Sequence, residues 1–306
     1  MSLYELFTSK GVNGLGYGTT AEQATEGVSL AGKTMLVTGC NSGLGLEAMR
    51  VLALRGARVV GTARTMEKAK EACASVTGST IPMACELADP ASVRACVAEV
   101  KRQGLKLDAI IANAGIMALP KLEKAFGYEL QFFTNHIGHF MLVTGLLEQL
   151  TEEGRVVMLT SSAHTMAPKG GIEFDNLSGD KDYSAWKMYG QSKMANLLFA
   201  KELARRFEGT KKTANAVHPG VIRTNLSRHM NPVANSVFNV VGSLFQKSVP
   251  QGTATEVYVA ASPKAAGVTG KYWADVNVAK PRSDAEDAAV AKKLWEVSEG
   301  IVAKLA

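Results

Sequence analysis

Tyr189 and Lys193 stand four residues apart, a spacing that puts both side chains on one face of a helix. A free tyrosine titrates at about 10 and is a poor base near neutrality. A neighbouring ammonium favours the phenolate and lowers that value, so the pair could act as general acid and base on a hydroxyl or carbonyl. Tyr-x-x-x-Lys is a common accident, and the reading needs partners. One lies upstream, where the apolar run Val156-Val157-Met158-Leu159 leads into Thr160-Ser161-Ser162. A serine at the carboxyl end of a parallel strand faces the crevice where ligands bind. Ser162 is therefore placed to polarise a substrate carbonyl, the competing reading being a strand-end cap.

A second group sits between an apolar run, Thr34 to Val37, and a helical stretch, Leu44 to Leu54. It reads Thr38-Gly39-Cys40-Asn41-Ser42-Gly43-Leu44-Gly45. Glycines in a strand-to-helix turn let the backbone approach a pyrophosphate at the positive helix N-terminus. Gly14-Leu15-Gly16-Tyr17-Gly18 is also glycine-rich, but no strand precedes it, so it reads as loop. The next strand, Arg58 to Thr62, leads into Ala63-Arg64. An NAD site usually carries an acidic residue there for the ribose 2′-hydroxyl. Arg64 instead suits a 2′-phosphate, which favours NADP over NAD. The alternative is a solvated surface arginine.

These groups need a frame. Further apolar runs occur at Ile81 to Cys85, Leu107 to Ala112 and Thr213 to Val217, with helical segments between, including Thr65 to Ala74 and 189–207. Strands alternating with helices predict an α/β chain with one doubly wound domain, a parallel sheet and helices on both faces. The domain is expected over residues 32–306, after an N-terminal arm over 1–31 in which Thr20 and Gln23 have capping-box spacing. A last strand is expected from Val268 and a terminal helix over 284–304. An apolar lid is expected at about 225–250, with the insert 163–188 (Phe174, Tyr183, Trp186) as another wall. Such walls suit a bulky lipophilic ketone, aldehyde or alcohol. The lid could equally be a core helix, or a surface helix touching a membrane or a second subunit. Helices 126–150 and 189–207 could pack on the sheet or form a dimer face, leaving monomer and homodimer open.

Composition bounds the alternatives. Of 306 residues, 46% are hydrophobic and 20% charged, which excludes a mainly disordered or collagen-like chain. The 34 basic and 28 acidic residues give only +6. The denser stretch Lys201, Arg205, Arg206, Lys211, Lys212 reads as a helix C-terminus, and no aromatic residues interleave with it to stack bases. No nucleic-acid partner is expected. Cys40, Cys73, Cys85 and Cys96 form no C-x-x-C, and the first residues lack the features of a secretory signal. Reduced thiols and a cytoplasmic location are expected. His136 and His139, spaced i, i+3, and His164 and His218 lack a completing ligand set, so they read as helix or crevice structure and no metal is expected.

Taken in order, Thr38-Gly39…Gly43…Gly45, Asn113-Ala114-Gly115, Asn135, Ser162, Tyr189…Lys193 and Pro219-Gly220 resemble the short-chain dehydrogenase/reductase family over roughly residues 30 to 275. Asn135-His136-Ile137-Gly138-His139-Phe140, Tyr189 to Asn196 and His218-Pro219-Gly220-Val221 resemble its retinol-dehydrogenase-like and WW-domain-oxidoreductase-like branch, to which a chloroplast-translocon-associated relative also belongs. The resemblance implies a Rossmann domain of about seven strands and an NADP-dependent oxidoreductase. Tyr189 would be the acid/base, and Lys193 would hold the nicotinamide ribose. Ser162 would orient the carbonyl oxygen and Asn135 a relay water. Gly39, Asn41, Ser42, Gly43, Leu44 and Gly45 would form the phosphate turn. Asn113, Ala114 and Gly115 would line the adenosine side, and Pro219, Gly220, Ile222 and Thr224 would wrap the nicotinamide and its phosphate. Glu86, followed by Leu87, replaces the usual adenine-contacting Asp, and Ala112 replaces the first Asn of Asn-Asn-Ala-Gly. A regulatory, NADP-binding protein with little turnover is the alternative.

Overall fold

The computed structural model describes residues 10–222 and 246–305. Residues 1–9 of the expected arm, Thr224, and 225–245 of the expected lid lie outside the described residues. Eight strands, β1 (Thr34–Thr38), β2 (Arg58–Ala63), β3 (Ser79–Ala84), β4 (Leu107–Ala112), β5 (Leu150–Leu159), β6 (Thr213–His218), β7 (Tyr272–Ala274) and β8 (Asn277–Ala279), form one sheet. Their order is β8-β7-β6-β5-β4-β1-β2-β3. Every neighbouring pair is parallel except β7 and β8, so the seven expected parallel strands are joined by an antiparallel eighth.

The eighth strand escapes the sequence for a local reason. It is three residues long and follows a turn built from Asp275 (φ 51°) and Val276 (φ 63°), where no glycine marks the left-handed backbone. The preceding strand also begins later than expected. Gly270 holds φ 70°, so regular pairing starts only at Tyr272 rather than at Val268.

Helices cover both faces. On one lie α1 (Ala21–Ala24), α2 (Gly43–Leu54), α3 (Met66–Ala74) and, after β6, a helix at Val249–Ala261. On the other lie α4 (Pro90–Arg102), α5 (130–145), α6 (Ala185–Arg206) and a final helix at Ala288–Lys304. We label the Val249–Ala261 helix α7 and the final one α8. The α1 start is the expected capping box, with Thr20 accepting from Gln23 N and the Gln23 side chain accepting from Thr20 N. The final helix begins four residues later than expected, because Asp287 caps it after a separate 3₁₀ turn at Ser283–Glu286.

Residues 10–20 lie against the far end of the sheet. Asn13 donates to Val276 O at 2.8 Å, and Asn277 donates to Leu15 O at 3.1 Å. α8 covers the outer side of α5 and α6. Its Trp295 packs against Phe140 (5.0 Å) and Phe199 (5.5 Å), with the Arg206 guanidinium 3.9 Å from its ring. α7 carries Glu256, which is 1% exposed and whose two carboxyl oxygens have no hydrogen-bond partner.

Candidate active site

β1 and β4 are adjacent, but the chain leaves β1 toward β2, so the strand order reverses between them. That reversal opens a crevice at the carboxyl ends of the strands. A cleft of about 620 Å³ occupies it. It gathers Gly39, Asn41, Ser42, Gly43, Leu44, Arg64, Glu86, Leu87, Asn113, Ala114, Gly115, Ser162, Tyr189, Lys193, Pro219, Gly220 and Ile222.

The glycine turn is shaped to admit a backbone-hugging ligand. Gly39 holds φ 74° and Gly43 φ 58°, conformations costly for other residues. Gly45 has a different task from the one expected. It does not line the cleft, and a Cβ there would come within 2.4 Å of Gly39 O, so it serves the close packing of α2 on the turn. Ser42, the N-cap of α2, makes no side-chain capping bond, so the helix start is open to an anion. Thr38 and Asn113 knit the two central strand ends together. Asn113 donates to Thr38 O at 2.8 Å, and Ala114 N donates to Thr38 Oγ1 at 2.9 Å. Arg64 stands exposed at the rim beyond β2, and Ala63 beside it is buried. Glu86 uses its longer side chain locally, accepting from Ala88 N at 3.2 Å.

α6 starts at Ala185, four residues ahead of the expected start, so Tyr189 and Lys193 sit inside the helix and are only 5% and 3% exposed. Lys193 Nζ donates to Leu159 O at 3.3 Å and lies 5.7 Å from the Tyr189 ring centroid. Burial governs both groups. It pushes the Tyr189 phenol up to about 12, opposed by the Ser161 hydroxyl, and draws the Lys193 ammonium down to about 8. Burial therefore raises the phenol, where the neighbouring lysine was expected to lower it.

The strand-end serines and Asn135 are placed differently. Ser161 and Ser162 both line the cleft, Ser161 half-buried and Ser162 exposed on its wall. Thr160 turns inward at the strand end, its Oγ1 donating to Lys193 O at 2.6 Å, and Ser161 Oγ accepts from Ala163 N at 3.1 Å. Asn135 is fully buried and does not line the cleft. It sits in a π turn, Phe133–Ile137, within α5. Its side chain accepts from Ile116 N (2.8 Å) and donates to Ile116 O and Ser192 Oγ (2.9 Å each). Ser192 Oγ in turn donates to Tyr189 O at 2.8 Å. Asn135 therefore acts on the backbone of the cleft wall rather than pointing into it.

Sequence reading missed the apolar lining supplied by Ile116, Met117, Leu130 and Met166. Of the insert residues, Trp186 reaches the cleft. Tyr183 instead donates to Leu119 O at 2.6 Å, and Phe174 packs beneath Lys293. The histidines are structural braces. His164 Nδ1 lies 2.6 Å from Ser161 O, and His218 Nδ1 accepts from Ser162 N at 3.1 Å. Among the described residues no group of three His, Cys, Asp or Glu side chains could hold a metal ion.

Comparison with known proteins agrees with this geometry. The short chain dehydrogenase family model matches residues 33–234. The chain is 40% identical to "Short-chain dehydrogenase TIC 32 B, chloroplastic" of Brassica napus, over 100% of both chains. It is 38% identical to human "Retinol dehydrogenase 14", covering 90% of this chain and 87% of the relative. A solved structure from Mycobacterium paratuberculosis, described as a putative uncharacterized protein, superposes with a TM-score of 0.75 at 32% identity. It covers 91% of this chain and 96% of that one.

Proposed function

Because the chain belongs to the short-chain dehydrogenase/reductase family, in its retinol-dehydrogenase-like branch, and is a nicotinamide-dependent oxidoreductase acting on CH–OH groups, we propose that it uses NADP and a bulky, apolar carbonyl or alcohol substrate. The observation that carries the NADP reading is Arg64 at the rim beyond β2, in the place where an NAD site presents a carboxylate. A guanidinium there can grip a 2′-phosphate through charge-assisted bonds. The apolar side of the cleft, Ile116, Met117, Leu130, Met166 and Trp186, supports the substrate class.

The bound nicotinamide supplies or accepts the hydride. Gly39, Gly43 and the open start of α2 would hold the dinucleotide's pyrophosphate, Asn113 to Gly115 its adenosine side, and Pro219, Gly220 and Ile222 its nicotinamide side. Thr224, outside the described residues, is assigned there by the family resemblance alone. In the reductive direction Tyr189 gives its phenolic proton to the carbonyl oxygen while Ser162 holds that oxygen in line. Lys193 would hold the nicotinamide ribose, and its charge would favour the phenolate left behind. In oxidation the same groups run in reverse. The N-terminal arm, residues 1–31, is read as an accessory to the domain at 32–306. The four buried free cysteines fit a reducing compartment, with the cytoplasm as our assignment. A monomer or homodimer serves this chemistry equally.

Thermal melts with NADPH and with NADH test the cofactor. A ligand at a hundred times its dissociation constant adds about 2.7 kcal/mol, roughly several degrees in a domain of this size. NADPH should give the larger shift, and Arg64→Leu should raise the NADPH Kd about tenfold or more while leaving NADH unchanged. A larger shift with NADH overturns the NADP reading. Tight cofactor binding without turnover of any lipophilic ketone, aldehyde or alcohol would favour the regulatory role instead.

A further inference from the structure

His139 lies on α5 and is fully buried, away from the cleft. Its Nε2 is 2.9 Å from Thr38 Oγ1, and its Nδ1 is 2.9 Å from Asn135 O. We propose that His139 is a positioning residue that ties the nucleotide-binding turn to the Asn135 turn of α5, so that filling the first stiffens the second. The proposal rests on the reading of the Gly39–Gly45 turn as the dinucleotide site.

The hydrogen-bond roles are fixed by elimination. Asn135 O can only accept, so Nδ1 carries the proton. Thr38 Oγ1 already accepts from Ala114 N, and its own proton goes to Nε2. One neutral tautomer satisfies every partner. A second proton on the ring would have to take the remaining lone pair of Thr38 Oγ1 and displace that hydroxyl's own proton, and burial together with the nearby Lys193 charge holds the imidazole down to about 4. The brace is therefore permanent across the physiological range.

Its two ends touch both halves of the chemistry. Thr38 immediately precedes Gly39, the first residue of the phosphate turn. On the other side, Asn135 holds Ile116 on the apolar wall and reaches Ser192, whose hydroxyl holds Tyr189 O. A continuous path of short hydrogen bonds thus runs from the phosphate turn to the backbone of the proton donor.

The test is amide hydrogen exchange with and without saturating NADPH, alongside the NADPH Kd. In the wild type, NADPH should slow exchange both over 38–50 and over 130–145. In His139→Leu the Kd should rise roughly three- to tenfold, the scale of lost neutral hydrogen bonds. Protection over 38–50 at saturation should persist, while the NADPH-dependent protection over 130–145 should fall at least about threefold. His139→Asn, whose amide can replace Nδ1, should recover part of it. Should the His139 variants fail to fold, Thr38→Val removes the hydroxyl at nearly constant volume and must show the same loss over 130–145. A purely structural role would speed exchange over 130–145 equally with and without NADPH, and that result overturns the proposal. So does wild-type protein that binds NADPH without protecting 130–145. Wild-type protein that binds no NADPH overturns the functional reading itself.

Discussion

Glu256 makes a quantitative prediction about stability. Its carboxyl is buried in α7 with neither oxygen partnered, and burial pushes it from 4.5 up to about 8. In the unfolded chain it titrates near the ordinary value. Because the folded value is the higher one, the associated stability is fully present below about pH 4.5 and is lost as pH rises through about 8. Linkage over these two values gives a loss on the order of 3–4 kcal/mol between pH 5 and pH 8. Glu256→Gln keeps the shape and removes the titration, while every other group titrates alike in both proteins. For a domain of this size the difference corresponds to roughly 7 °C in Tm. Melting both proteins across pH 5 to 8 should show the wild type falling relative to the variant by about that amount as pH rises. Curves that stay parallel within about 2 °C would refute the assignment of a neutral, unpartnered carboxyl in the folded state.

Two predictions concern the chemistry. Tyr189→Phe should lower kcat by about 10² to 10⁴, the usual scale for a lost general acid, with the NADPH Kd within about twofold of wild type. A variant that turns over at the wild-type rate would remove Tyr189 from the mechanism. Ser161→Ala and Ser162→Ala should separate cleanly in steady-state kinetics. The second should cost about tenfold or more in kcat/KM, since Ser162 stands exposed on the cleft wall, and the first should stay within about twofold, its Oγ being held by Ala163 N. The opposite ranking would move the carbonyl-orienting role to Ser161.

The phosphate turn and the Tyr189–Lys193 pair were legible because their signals are local. A glycine triplet between a strand and a helix, and a four-residue helical spacing, need no tertiary information. Arg64 was legible by its place in the order of elements. What escaped depends on where regular structure stops. Ser161 and Ser162 are chemically identical, and only their folded surroundings differ, Ser161 Oγ being held by Ala163 N while Ser162 stays exposed. The π turn at Phe133–Ile137 carries no composition of its own, so Asn135 was legible only through the family resemblance, and that its side chain is spent on Ile116 and Ser192 was not. His139 was singled out only for its spacing from His136. Its partner Thr38 lies 101 residues away, and sequence gave no sign of it.

The seat of α8 on α5 sets a timetable for the nascent chain. His136 Nε2 meets Ser298 Oγ across 162 residues of sequence. At roughly 5–20 residues per second of synthesis, α5 waits about 8–30 s after its own emergence before its cover exists. During that interval Phe140 and Phe199 lack the Trp295 ring that shields them in the finished molecule. Ribosome-bound intermediates stalled before residue 288 should accordingly be the species that recruits chaperones, and release of the last helix should be the step that frees them.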